Sequence, residues 1–244
     1  MQSPISVEGG KNDQKSVRKK LQRFAKHFFP KNKDQLSDRG LKLLQQISRN
    51  ENLVFEKEET PEVNIWELTN ALASMNKSSS PGDDSITAQM IEEGWEAIKT
   101  RLLQIINGAF HQGYFPSKWK VAKVNFLKKP NKEDYEDPSS YRPISMPSNL
   151  AKLTEIVIRN RLKWLSKIGH WISDNQHGFV DGRSTLTACA EAVNFIEDST
   201  DQKKAVGALF IDIKAAFDSA WHPAIISALS KKNCPPYLIK IIQS

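Results

Sequence analysis

Cysteine is nearly absent from this chain: Cys189 and Cys234 are its only two thiols in 244 residues, each within an apolar helical pattern. Two thiols build neither a disulfide framework nor a zinc site, and they suit a reducing, intracellular setting. Long apolar runs are missing too. Nothing approaches the ~20 residues that a membrane-spanning helix needs, and the first residues lack the apolar core of a secretory signal. No internal repeat divides the chain. Acidic charge is scarce at one end, where residues 1–50 hold 12 Lys/Arg against 4 Asp/Glu, leaving 23 against 24 for the remainder. The excess of basic residues fits a polyanion partner such as RNA or DNA, and equally a solvated basic face.

What is present describes an ordinary globular chain, with 39% hydrophobic and 26% charged residues, long enough to bury a core. Val17, Leu21, Phe24 and Phe28 recur at helical spacing among Lys19, Lys20, Arg23 and Lys26, which predicts an amphipathic basic helix stopping at Pro30. A second helix is expected over Leu36–Ile47, followed by an acidic connection through Glu51–Glu62. Thr60-Pro61 reads as the start of a helix carrying Ile65, Leu68, Leu72 and Met75 on one face. Residues 78–86 form a turn-rich break. Ile91, Trp95, Ile98, Leu102, Ile105 and Ala109 then predict a helix ending near Gly113.

Val121–Leu127 is rich in strand formers, and Tyr141–Ser145 reads as the returning strand of a hairpin. Lys129 and Arg142 on such a hairpin could hold a triphosphate, Lys as a point charge and Arg as a planar fork. A solvated hairpin would carry the same residues. Leu153, Val157, Ile158, Leu162, Leu165 and Ile168 predict the inward face of another helix, with Lys152, Arg159, Arg161 and Lys163 outside. Next comes Gln176-His-Gly-Phe-Val-Asp-Gly-Arg-Ser-Thr185. Gly178 and Gly182 permit close backbone approach, and Ser184 can cap a helix carrying Leu186, Cys189, Val193 and Ile196. Backbone donors at that helix start, together with Arg183, could bind an anion.

Val206–Ile211 is an apolar run of strand length, expected as a strand buried on both faces, with Asp212 at its end. An Asp there is either a turn or capping residue or a Mg²⁺ ligand, since Mg²⁺ takes one or two carboxylates and completes its shell with phosphate oxygens and water. Asp218 lies close before a helix expected at Pro223, so structural hydrogen bonding is its expected part.

Four strings together resemble the reverse transcriptases of non-LTR (LINE-type) retrotransposons. Phe210-Ile-Asp-Ile-Lys-Ala-Ala-Phe-Asp218 resembles the family's first metal-binding motif. Trp119-Lys-Val-Ala-Lys-Val124, through Lys129-Pro130 to Tyr141-Arg-Pro-Ile-Ser145, resembles its fingers. Gln176–Thr185 is similar to an element lying beside template and nucleotide. Pro81-Gly-Asp-Asp-Ser-Ile86 is similar to an element upstream of the fingers, with Asp83 and Ser85 where the family usually has Pro and Gly. The pair Asp83-Asp84 is not the polymerase paired-aspartate motif, because it sits in a Ser/Pro/Gly loop and precedes Asp212. The resemblance runs from about Pro81 to Ser244.

The resemblance implies an α+β fold, a right-hand polymerase's fingers and partial palm after a helical N-terminal region. The divisions it implies are a basic extension over 1–60, a helical region over 61–118, fingers over 119–200 and the start of the palm over 201–244. It also implies template-directed addition of dNTPs to a primer 3′-hydroxyl, with an RNA template, a DNA primer and two Mg²⁺ ions. Asp212 would be the catalytic carboxylate, holding metal with the Ile213 backbone carbonyl. Lys129, Arg142, Gln176, Gly178 and Arg183 would bind nucleotide, and Phe217 would pack beneath the incoming sugar and exclude a 2′-hydroxyl. The expected location is the nucleus or a cytoplasmic ribonucleoprotein. The family's second carboxylate element, an aromatic-Ala-Asp-Asp hairpin, does not occur here. The chain is therefore expected to be a fragment, inactive by itself. The alternative is a non-catalytic nucleic-acid-binding remnant of such an element. A maturase or telomerase relative fits the strings less well.

Overall fold

A computed structural model describes residues 11–28, 60–213, 216–217 and 220–244. The helix expected over Leu36–Ile47, and Asp218, lie outside the described residues. Among those described, helices dominate and a single two-stranded sheet is present, a mixed helix and strand architecture. The chain divides into two compact units, one of residues 1–160 with 221–244 and the other of residues 161–220. No helix among the described residues is long and apolar enough to cross a membrane.

The first unit opens with α1 (Lys11–Phe28), the expected basic helix. Phe24 is its buried anchor, 3% exposed. α2 (Ile65–Ala73) begins later than Thr60-Pro61 predicts. Asn64 accepts a hydrogen bond from the Glu67 N–H at 3.0 Å, and the Glu67 carboxylate accepts one from the Asn64 N–H at 3.1 Å. That reciprocal capping box satisfies two donors where a lone threonine hydroxyl satisfies one. Val63 meanwhile exchanges both backbone hydrogen bonds with the Asn107 side-chain amide, at 2.7 and 3.0 Å. A residue spending both main-chain groups in this way is not available to a helical ladder.

The expected single helix around Ile91–Ala109 is two, α3 (Ala88–Glu93) and α4 (Trp95–Gln112). Gly94 stands between them and serves as the end of one and the start of the other. The buried stripe of α4 is Leu102, Ile106, Ala109 and Phe110, whereas Ile105 is exposed. The core lies one step further round the helix than the sequence spacing indicates. Gly113 ends α4 in the left-handed region, φ 59°, as glycine does without a Cβ penalty.

The break before α3 is held down by its backbone. A Cβ on Gly82 would stand 2.7 Å from the Ser148 nitrogen, and the Asn149 amide donates to the Ile86 carbonyl at 2.6 Å. Ser85, at the position where the resembled family usually has Gly, has φ 58°. α7 (His222–Lys231), with Pro223 in its first turn as expected, and α8 (Pro236–Gln243) complete this unit. Leu238 and Ile241 are buried, and Tyr237 lies against Phe110 with ring centroids 6.2 Å apart. Cys234 is in the link between α7 and α8 rather than in a helix, and is buried.

The strands β1 (Ala122–Lys128) and β2 (Tyr141–Pro147) form the expected antiparallel hairpin, in register from Ala122 opposite Pro147 to Lys128 opposite Tyr141. α5 (Asn149–Ile168) follows, and the division between units falls within it. Leu153, Val157 and Ile158 are buried as expected; Leu162 and Leu165 are half-buried and Ile168 is exposed.

In the second unit, α6 (Thr185–Asp201) starts at Ser184, which forms a capping box with Thr187. None of its residues is buried. The strand expected over Val206–Ile211 is not formed: the segment joins no sheet, and Leu209, Phe210 and Ile211 are exposed. A strand exists by pairing, and no described segment offers these residues a ladder. Cys189 lies in α6 and is exposed.

Candidate active site

The candidate residues fall into one group in each unit. The first group is on the hairpin. Side chains alternate between the faces of a strand, so the alternation that buries Tyr141 leaves Arg142 on the other face, opposite the exposed Leu127. Arg142 is itself exposed, and its guanidinium has no hydrogen bond or ion pair among the described residues. Lys129 extends the ladder by one step, its N–H donating to the Ser140 carbonyl at 2.8 Å. Its ammonium donates to the Ser139 carbonyl at 2.7 Å. Ser139 lies in a short 3-10 turn, Pro138–Ser140, capped by the Asp137 carboxylate, which accepts from the Ser139 N–H at 2.9 Å and its hydroxyl at 2.6 Å. These two bonds, aided by the nearby Arg23 guanidinium, hold the Asp137 carboxyl below the usual carboxylate range. The hairpin thus carries two cations at one end, the Lys129 ammonium bonded to the Ser139 carbonyl and the Arg142 guanidinium without a partner among the described residues.

The second group is the loop before α6. Gln176 donates its amide to the Gly178 carbonyl at 3.0 Å. Arg183 is turned onto its own loop. It donates to the carbonyls of Ser173 at 3.3 Å, of Asp174, and of Gln176 at 2.7 Å. Its other terminal nitrogen lies 3.6 Å from the Asp174 carboxylate. Here Arg183 gathers three carbonyls and fixes the loop, and does not project as a free anion ligand. Gly182 takes φ 78° and Phe179 takes φ 63°. The Phe179 ring meets that of Phe217 edge-on, centroids 6.0 Å apart, and both rings are exposed.

His177 is the residue of this loop that sequence reasoning passed over. Its Nδ1 lies 2.8 Å from the Thr187 hydroxyl and its Nε2 lies 2.6 Å from a Glu191 carboxylate oxygen. It therefore pins the loop to the first turns of α6. The available signal was the spacing of Thr187 and Glu191, four apart and so on one helix face.

Asp212 and Ile213 are exposed. The Asp212 carboxylate and the Ile213 carbonyl accept no hydrogen bond among the described residues. One carboxylate and one carbonyl, both unspent and both hard oxygen donors, suit Mg²⁺, which completes its octahedron with phosphate and water. Among the described residues no group of three or more His, Cys, Asp or Glu could hold a metal ion.

Comparison with known proteins supplies the family. A family model described as reverse transcriptase (RNA-dependent DNA polymerase) matches residues 127–244. The chain is 34% identical over 175 residues to the probable RNA-directed DNA polymerase from transposon BS of Drosophila melanogaster, covering 72% of this chain and 19% of that protein. It is 33% identical over 183 residues to the RNA-directed DNA polymerase from mobile element jockey of the same organism, covering 75% of this chain and 20% of the relative. It is also 31% identical over 180 residues to the putative 115 kDa protein in type-1 retrotransposable element R1DM, covering 73% of this chain and 17% of that protein. The chain spans about a fifth of the length of the curated relatives it matches. Lys129, Arg142, the Gln176–Thr185 loop and Asp212 all lie within the matched residues 127–244: this chain belongs to the reverse transcriptases of non-LTR retrotransposons, of whose polymerase domain it is a part.

Proposed function

We propose that these residues form the fingers and the beginning of the palm of an RNA-directed DNA polymerase, working within a longer protein. Fingers would span 119–200 and the start of the palm 201–244, behind a helical region over 61–118 and a basic extension over 1–60. The reaction is attack of a primer 3′-oxygen on the α-phosphorus of a dNTP. The new O–P bond forms as the bond to pyrophosphate breaks, under the direction of an RNA template.

The observation that carries this reading is the unpartnered, exposed Arg142 on the same hairpin end as Lys129. An Arg fork and a Lys point charge together suit a triphosphate. Asp212, with the Ile213 carbonyl, would hold Mg²⁺; the metal pair of such enzymes stabilises attacking and leaving oxygens. Phe217 would lie under the sugar, where an aromatic ring leaves no room for a 2′-hydroxyl. Gln176 and Gly178 would line the template side of the nucleotide, on a loop whose shape Arg183 fixes. The 244 residues by themselves are proposed not to extend a primer, because Asp212 needs further carboxylates to hold two ions.

The test uses the chain continued through a paired-aspartate hairpin and thumb. Arg142→Ala should raise the KM for dNTP about tenfold or more, since a charge-assisted contact is worth ~1.5–3 kcal/mol, with primer–template affinity little changed. Asp212→Ala should abolish synthesis. An unchanged KM in a folded Arg142→Ala protein removes Arg142 from the triphosphate. A second reading, a nucleic-acid-binding module without catalysis, is favoured by the exposed Arg18 and Lys19 on α1. Binding of RNA by a continued chain that never extends a primer would select it.

A further inference from the structure

An isolated two-stranded hairpin is marginal in water and needs a packed face to hold its shape. The β1–β2 hairpin obtains one from the N-terminal helix. Phe24 of α1 meets Phe126 of β1 edge-on, ring centroids 5.0 Å apart, and Tyr141 of β2, centroids 4.8 Å apart. Phe28 adds a second contact to Phe126 at 5.6 Å. Edge-to-face pairs such as those of Phe24 add attraction beyond the area they bury, because the positive ring edge meets the negative ring face. One ring of α1 thus touches both strands, and Tyr141 is the residue immediately before Arg142.

A second link reaches the other cation. Lys20 of α1 pairs with Glu136 at 2.9 Å, ahead of the turn that Asp137 caps and whose Ser139 carbonyl receives the Lys129 ammonium. Among the described side chains of α1, Arg18, Lys19, Leu21, Gln22, Arg23, Ala25, Lys26 and His27 are exposed. A helix that buries one ring fully, and buries it between the two strands of the hairpin, is placed to brace that hairpin.

We propose that α1 is a positioning element for the Lys129–Arg142 hairpin, and that Phe24 is the residue through which it acts. Phe24 touches no substrate; it fixes the strand pair so that two cations converge on one triphosphate. The proposal rests on the triphosphate reading for its consequence, and on the aromatic cluster alone for its mechanics.

The 244-residue chain tests it with two readouts, amide hydrogen exchange across residues 122–147 and titration with Mg²⁺·dATP. Phe24→Ala should speed hairpin exchange at least tenfold and weaken dATP binding at least fivefold, while amides of α4 keep their protection. Phe24→Leu, which keeps an apolar side chain without a ring edge, should fall between and decides the matter if Phe24→Ala loosens α4 as well. Arg142→Ala should weaken dATP binding with hairpin exchange unchanged. Hairpin exchange unchanged in both Phe24 variants overturns the proposal. Faster exchange in Phe24→Ala, with dATP binding indifferent to Arg142→Ala, leaves α1 as the brace and removes the triphosphate reading.

Discussion

The two units of this chain obey different rules. Residues 60–160 with 221–244 close a core around Leu68, Ile91, Ile106, Phe110, Leu153 and Leu238. Among the described residues of 161–220 none is buried, although α6 there is as well capped as any helix of the first unit. The difference separates what a chain encodes locally from what it encodes only with a neighbour. A capping box satisfies its donors within four residues and needs no core. A strand makes no main-chain ladder within itself, so its N–H and C=O groups stay unpaired until another strand arrives. So Ser184 starts its helix in a unit with no buried residue among those described, while Val206–Ile211 in the same unit makes no strand.

Substitutions can break that contrast, and the largest effect belongs to a matched pair of phenylalanines. Phe110→Ala in the core of the first unit should cost ~3–5 kcal/mol; Phe210→Ala, 93% exposed, should stay within about 0.5 kcal/mol. Urea unfolding of both variants measures this. A loss at Phe210 equal to that at Phe110 would show that the second unit has a core after all.

The two thiols sharpen the same contrast in reactivity. Burial pushes the Cys234 thiol up to about 11, so near pH 8 almost none of it is thiolate, the nucleophilic form. Cys189 is exposed. Maleimide should label Cys189 on the order of 100-fold faster than Cys234, with the gap narrowing as pH rises towards 11. Peptide mapping after timed labelling reads it, and comparable rates would contradict the closed core around Cys234.

Two glycines give a smaller effect. Gly82→Ala would drive a Cβ to 2.7 Å from the Ser148 nitrogen, whereas nothing lies within 4 Å of a Cβ on Gly207. The first should cost ~1–3 kcal/mol through forced backbone shifts, and the second should be near neutral. Equal melting temperatures for the two variants would mean that the loop over 81–86 does not rest on Ser148. The smallest effect has the opposite sign. Ser85 holds φ 58°, where a side chain is strained, so Ser85→Gly should raise stability by ~0.5–1 kcal/mol.

Much of this was legible in the sequence, and the failures have a common cause. The hairpin followed from a strand-forming run, a polar bend and a returning run; the α6 start followed from Ser184, and the α4 end from Gly113. Each is a short-range signal. Thr60-Pro61 misled because two better-placed partners, Asn64 with Glu67 and Val63 with Asn107, took the backbone that Thr60 would have capped. Ile105 and Ile168 misled because spacing gives a stripe but not which edge of it faces the core. For the site, Lys129 and Arg142 emerge together on one hairpin end. Arg183 reads in the sequence as part of an anion site at the α6 start; that its guanidinium also gathers three carbonyls of its own loop is a fact of the folded loop that the sequence does not show.

The uncharged run Val206–Ile211 has one more consequence, for self-association between identical chains. Short apolar segments without charge stack readily with copies of themselves, and flanking charges act as gatekeepers against it. Lys203 and Lys204 stand on one side of this run and Asp212 on the other. The carboxylate proposed as a metal ligand is therefore also a charge flanking the run. Asp212→Ala removes both at once, so lost synthesis in that variant mixes an empty ligand position with material lost to aggregates. Asp212→Glu keeps the charge while moving the carboxylate by one methylene. Light scattering of the two variants side by side separates the gatekeeper from the ligand.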